Sequence, residues 1–78
     1  MKTTVDLLKI GDKATITNID LDKIPLKLLE MGCLPNNELQ VLQIAPFGDP
    51  IYLNVNNGSH LAIRKETARE IEVELHRK

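Results

Sequence analysis

The chain has 78 residues and a mass of 8.8 kDa, which allows one domain spanning residues 1–78. Its hydrophobic fraction of 42% and charged fraction of 27% are those of an ordinary folded domain and argue against disorder. The net charge of −1 supplies no overall positive field for nucleic acid or an anionic membrane. The single cysteine excludes an internal disulfide and a multi-cysteine zinc ribbon.

The sequence also lacks the features of membrane insertion and export. No apolar run approaches the roughly 20 residues that a membrane helix needs. Charged residues interrupt the first ten positions, so no signal-peptide core is present there. With one Phe, one Tyr and no Trp, the core must be aliphatic, and a base-stacking surface for single-stranded nucleic acid is not expected. We therefore expect a cytoplasmic domain that does not bind nucleic acid.

The first half of the chain predicts a strand followed by a short helix. Residues 13–19 predict the strand, because small and β-branched side chains alternate there, with a bulge or the strand end near Asn18. Asp22 is expected to cap the helix, and Pro25 lies near its first turn. The apolar stripe of this helix contains Ile24, Leu28, Leu29 and Met31. Gly32 is typical of the residue that ends a helix.

Four more strands are predicted in the second half, at residues 38–45, 51–56, 60–64 and 71–76. The segment 38–45 is apolar on both faces, which predicts either burial on both sides or a β-bulge that changes the face. Asn57-Gly58 is the strongest hairpin signal in the chain and predicts a type I′ turn. Residues 65–70 predict a single helical turn before the last strand.

Five short strands at short spacings leave too little room for parallel crossovers and favour an antiparallel meander. Small all-β domains remove their exposed edges by closing on themselves. The fold predicted from the residues is therefore mainly β: a small SH3-like five-stranded barrel with one short helix inserted after the first strand. A helix-capped OB-like barrel is the alternative.

The chain lacks groups that would make it an enzyme. It has no recognisable acid/base pair, no nucleophile motif and no glycine-rich phosphate loop. Cys33 follows a helix C-terminus, where a thiolate is disfavoured. His60 and His76 lie on the polar sides of their strands, which predicts exposure to solvent. A metal site made of these three residues would need three distant segments to converge, so no metal site or cofactor is predicted.

Two segments instead suggest contact with a protein partner. Residues 28–35 place apolar side chains closely together through the helix end. Residues 46–50 place the only phenylalanine, Phe47, on a turn between two prolines. Prolines on both sides restrict the loop and lower the entropy cost of presenting Phe47. The alternative is that Phe47 folds back onto the small core.

The same segments resemble a known family. The run LLEMGCLP at residues 28–35 resembles the LLELGLxPG signature of FeoA, ferrous iron transport protein A. The run APFGDP at residues 45–50 resembles the APxGDP turn of that family, and LAIRKETA at residues 61–68 is similar to its LALRxxxA segment. The match extends from residue 7 to residue 74. Leu26 and Lys27 stand where the family usually has arginines.

This resemblance implies an SH3-like barrel and a cytoplasmic accessory protein of FeoB, the membrane ferrous iron transporter that carries a G domain. The first hypothesis is therefore a module that binds the cytosolic part of that transporter and modulates its nucleotide cycle or assembly. The candidate partner-binding residues are Leu29, Met31, Cys33, Leu34 and Phe47. The alternative is direct Fe²⁺ binding, as a sensor or chaperone, through Cys33, His60, His76 and surface carboxylates. Weak self-association remains open.

Overall fold

The computed structural model describes residues 1–56 and 58–76, and in them one antiparallel sheet contains six strands. The strands are β1 (Lys2–Thr4), β2 (Lys13–Ile19), β3 (Glu38–Ile44), β4 (Ile51–Val55), β5 (Ser59–Ile63) and β6 (Ile71–Leu75). The helices are α1 (Leu26–Glu30) and α2 (Lys65–Ala68), and short 3₁₀ turns cover Val5–Leu7 and Pro46–Gly48. The order of the strands across the sheet is β1-β6-β2-β3-β4-β5. The five predicted strands and both helical segments are confirmed.

Strand β1 was not predicted, so the sheet has six strands instead of five. It is three residues long and pairs antiparallel with β6, with Lys2 opposite Glu74 and Thr4 opposite Glu72. Its side chains are polar and show no alternation. Its place in the sheet depends on backbone pairing with β6, which a periodicity argument cannot detect.

The sheet does not close by hydrogen bonds in the way the predicted barrel required. Within residues 1–56 and 58–76, no ladder joins the outer strands β1 and β5. Instead α2, which follows β5, packs against the Val5–Leu7 turn, which follows β1. The physical reason is the length of β1: after three residues the chain turns into the 3₁₀ segment, and no strand remains for β5 to pair with. A helical contact therefore connects the two sides, with Ala68 and Val5 both buried.

Both predicted irregularities are present as β-bulges. The register of β2 against β6 shifts between Ile16 and Asn18, as the alternation had indicated. The register of β3 against β4 shifts between Val41 and Gln43. At this bulge Leu42 and Gln43 both lie on the outer face, so that Val41 before the bulge and Ile44 after it both face the core. The β-bulge thus explains why apolar residues occur at both parities of this segment, and burial of the strand on both faces is not required.

The inner face of the sheet holds an aliphatic core. Leu53 lies opposite Val41 on one side and Leu61 on the other, and all three side chains are buried. Among the described residues, no polar or charged residue is buried. The β4–β5 hairpin is confirmed by the pairing of Val55 with Ser59, whereas the predicted turn type depends on Asn57, which lies outside the described residues.

The helix α1 begins later than predicted, and Asp22 does not cap it. The backbone N–H of Asp22 donates to Asp20 Oδ1 at 3.0 Å, in a turn that precedes the helix. Pro25 occupies the N-cap position, and no side chain caps the helix there. The reason is spacing: three residues separate Asp22 from the first helical residue, so its carboxylate is too early in the chain to reach the free N–H groups.

The end of α1 is as predicted. Gly32 has a φ of +104°, which L side chains rarely adopt, and the helix stops there. The N–H of Gly32 donates to the carbonyl of Leu29 at 3.1 Å, and the N–H of Cys33 donates to the carbonyl of Leu28 at 3.0 Å. This pair of bonds is the Schellman arrangement. It turns the chain sharply, so that Cys33 points into the core and Leu34 points outward.

Candidate functional site

The helix end presents less apolar surface than the sequence indicated. Leu29 and Met31 are half-buried and pack against the core, whereas Leu34 is 42% exposed. Cys33 is fully buried, with 0% of its surface accessible. Of the four candidate residues in this segment, Leu34 therefore has the most exposed side chain, whereas Leu29 and Met31 pack against the core.

The prediction that Cys33 contacts a partner disagrees with its burial. The Schellman turn directs this side chain inward, where it fills part of the core. Desolvation by burial raises the pKa of the Cys33 thiol from 9.0 to about 11. Burial removes Cys33 from the surface that a partner could contact, and the raised pKa disfavours the thiolate, the form that binds metals and acts as a nucleophile.

Burial of Cys33 predicts a loss of stability at alkaline pH. In the unfolded chain the thiol ionises near pH 9, whereas in the folded domain it stays protonated up to about pH 11. Burial of the protonated thiol therefore adds its full stabilisation to the free energy of unfolding below pH 9, and this stabilisation decreases as the pH rises towards 11. At pH 10.5 the loss is about 2 kcal/mol. Urea unfolding at pH 8 and pH 10.5 measures it, and Cys33→Ala should lose that much less between the two pH values; equal losses would contradict the prediction.

Phe47 lies on the loop of residues 45–50 that joins β3 to β4, which we call the β3–β4 loop. Its side chain is fully exposed, at 102% of the reference area, so it does not fold back onto the core. Its backbone has a φ of +68° and a ψ of +10°, in the left-handed region that bulky side chains seldom occupy. The loop therefore presents its aromatic ring to solvent from a fixed and unfavourable backbone conformation.

Backbone hydrogen bonds and one carboxylate hold this loop in place. The N–H of Gly48 donates to the carbonyl of Ala45 at 2.9 Å, and the N–H of Ala45 donates to the carbonyl of Pro50 at 3.0 Å. Asp49 Oδ1 accepts from the backbone N–H of Lys65, at the start of α2, at 3.0 Å. The loop is thus joined both to its own strands and to the neighbouring helix.

The structure places the two predicted segments at opposite ends of β4. A Cβ atom built on Gly32 would lie 3.4 Å from Cγ1 of Val55, the last residue of that strand. The β3–β4 loop joins the other end, at Ile51. Five strand residues rise by about 13 Å from first to last, so Leu34 and Phe47 belong to separate parts of the surface.

A third apolar area was not predicted. Leu42 and Tyr52 are exposed at 41% each, on the outer face of the sheet, and Ala62 lies opposite Tyr52 on β5. Together with His60 they line an open groove of about 380 Å³. The sequence did contain one signal, because Leu42 has the opposite parity to Leu39 and Val41 and so faces the other side of the strand.

The histidines do not form a metal centre with Cys33. His76 Nε2 is 2.7 Å from Thr15 Oγ1, next to β6, whereas His60 is exposed on β5. Over residues 1–56 and 58–76, no three His, Cys, Asp or Glu side chains come close enough to hold a metal ion. Within the same residues, no helix has the length and apolar character needed to cross a membrane. The three residues of the Fe²⁺-binding alternative therefore remain apart.

Comparison with known proteins agrees with this fold. The FeoA domain model matches residues 3–75. A crystal structure of an iron uptake regulatory protein, FeoA, superposes with a TM-score of 0.83 at 34% identity, over 97% of this chain and 99% of that chain. FeoA of Stenotrophomonas maltophilia complexed with zinc, described as an SH3 domain protein, gives 0.77 at 24% identity over 96% of both chains. At that identity the likeness establishes the fold alone, which is SH3-like.

A curated relative connects the domain to a transporter. The Fe(2+) transport protein A/Fe(2+) transporter FeoB fusion protein of Porphyromonas gingivalis is 36% identical over 69 residues, 87% of this chain. The chain spans 8% of the length of that protein. FeoA domains are small accessory units of ferrous iron transport and are not a known enzyme family. With the match covering nearly all of its residues, the chain belongs to the FeoA domain family.

Proposed function

We propose that this domain works in the cytoplasm, where it binds the cytosolic part of a FeoB-type ferrous iron transporter and modulates its nucleotide cycle or assembly. The observation that carries the proposal is the Porphyromonas gingivalis protein, in which a similar domain and FeoB are parts of one chain. Fusion holds two modules at a high effective concentration, which favours even a weak contact between them. Separate chains that make the same contact need an exposed complementary surface.

The described surface of this domain offers exposed apolar side chains that suit binding to a protein partner. Leu34 and Phe47 are exposed apolar side chains, and Leu29 and Met31 are half-buried at the helix end. The domain modulates the transporter if it binds one of the transporter's states more tightly than the others, since only such a difference shifts the populations of those states. The nucleotide-dependent states of a G domain provide such a set.

Calorimetric titration of the chain into the isolated cytosolic part of its cognate transporter tests this proposal. We expect one-to-one binding whose affinity differs between the nucleotide-free, GDP-bound and GTP-analogue-bound forms. Heat-unfolded domain serves as the control for nonspecific heats. Absence of binding in all three forms would refute the proposal, and equal affinity for all three would remove the modulating role.

A further inference from the structure

Phe47 combines two properties that rarely occur together in a side chain without a function. It is the most exposed of the large apolar side chains in the described residues, and its φ of +68° is costly for a bulky residue. Such conformations persist when the surroundings determine them, and they cluster at binding and catalytic sites. No core contact of the ring offsets the cost here, so the folded domain gains nothing visible from having phenylalanine at this position.

Two cations lie beside the loop. The Lys65 ammonium nitrogen is 3.7 Å from the position that a Cβ atom on Gly48 would occupy. Arg64 is exposed and immediately precedes it. Among the described residues, neither cation has a carboxylate within 4.0 Å, and the cations that do form ion pairs are the amino group of Met1, Lys23 and Arg69. The nearby carboxylate of Asp49 accepts from the backbone N–H of Lys65.

From this arrangement we infer that the β3–β4 loop is the main anchor of the transporter contact, an inference that rests on the proposed function. Phe47 enters an apolar pocket on the cytosolic part of the transporter, and carboxylates at the rim of that pocket face Lys65 and Arg64. The helix end, at the other end of β4, lies outside the centre of this contact. The partner surface is thus an apolar cavity with an acidic rim.

The chemistry of the loop fits the known pattern of binding hot spots. Aromatic and arginine side chains dominate the energy of protein interfaces when they fill a desolvated pocket near the centre. A loop that already holds the bound conformation loses little entropy on binding. The hydrogen bonds of Ala45, Gly48 and Asp49 supply that fixed conformation. The flanking cations accelerate association with an acidic surface and make it depend on salt.

The test measures the affinity of full-chain variants for the isolated cytosolic part of the transporter by calorimetry. Phe47→Ala should weaken binding by about 30-fold or more. Phe47→Gly should weaken it equally, yet have a Tm at least as high as that of Phe47→Ala, because glycine adopts the positive φ without cost. The double variant Arg64→Gln/Lys65→Gln should bind about fivefold more weakly and show a smaller dependence on salt.

Leu21→Ala is the control, because it removes a leucine that is 66% exposed and lies outside the β3–β4 loop. It should bind within about twofold of the wild type. Leu34→Asp adds a charge at the helix end and compares that segment with the loop; it should weaken binding clearly less than Phe47→Ala does, since the helix end lies outside the centre of the contact. If the wild type binds but Phe47→Ala binds equally well, or Leu34→Asp weakens binding as much as Phe47→Ala, this inference is overturned and the proposed function stands. If the wild type does not bind, both are overturned.

Discussion

Replacing Leu53 with alanine is expected to remove a large part of the free energy of unfolding. Leu53 is completely buried on a central strand, between Val41 and Leu61. Truncating such a leucine removes its transfer free energy and leaves a cavity, at a cost of about 3 kcal/mol. A domain of this length has a total stability of roughly 4 to 12 kcal/mol. Urea unfolding followed by circular dichroism should therefore show a much lower midpoint.

The matched control is Leu42→Ala on the neighbouring strand. Leu42 is also a leucine in the sheet, but it lies on the outer face of β3, where it is 41% exposed. Its truncation should change the free energy of unfolding by about 0.5 kcal/mol or less. Equal losses for the two variants would contradict the assignment of the inner and outer faces.

Gly32→Val is expected to have the second largest effect, about 3 kcal/mol. The φ of +104° at this position disfavours every L residue and β-branched residues most. In addition, the new Cβ atom would lie 3.4 Å from Val55 Cγ1, so the γ-methyl groups of valine would press on the end of β4. The same substitution should weaken the Schellman hydrogen bonds, which direct Cys33 into the core. Thermal unfolding of the variant measures the loss as a lower Tm.

Gly11→Val separates the cost of backbone strain from the cost of crowding against Val55. Gly11 also has a positive φ, +92°, but a Cβ atom there would meet nothing within 4 Å. Its substitution should therefore cost only the backbone strain, about 1 to 2 kcal/mol. A loss at Gly32 no greater than the loss at Gly11 would show that crowding against Val55 contributes nothing.

The strands were predictable because burial on one face leaves a period of two in the sequence. In β4, Ile51, Leu53 and Val55 alternate with exposed or half-exposed side chains, and the structure repeats that alternation in burial. The bulge in β3 was predictable for the same reason, since a change of face interrupts the period. The ending of α1 followed from Gly32, because few other residues adopt its φ.

Features that depend on distant parts of the chain were not predictable in this way. Strand β1 forms because β6 offers it a partner more than 60 residues away, and its own residues, Lys-Thr-Thr, show no strand pattern. The absence of hydrogen bonds between β1 and β5 also depends on this long-range pairing of β1 with β6. Asp22 is a good helix cap by residue type, but the turn at Asp20 uses its backbone first.

The candidate site shows the same limit. Apolar composition indicated the segment 28–35, but which of its side chains face outward depends on the turn at Gly32. That turn buries Cys33 and exposes Leu34, and the residue types alone do not distinguish them. For Phe47, the two flanking prolines indicated a restricted loop, whereas the residue types alone determine neither its positive φ nor its full exposure.

The pairing of β1 with β6 determines how this domain can be attached to other polypeptides. The N–H of Leu75 donates to the carbonyl of Met1 at 2.9 Å, so both ends of the described chain leave from one corner. Through Ala14 and Leu39, the ladder register aligns that corner with Val55, the end of β4 remote from Phe47. A tether attached beyond either end of the described residues would therefore leave the ring of Phe47 exposed to a partner.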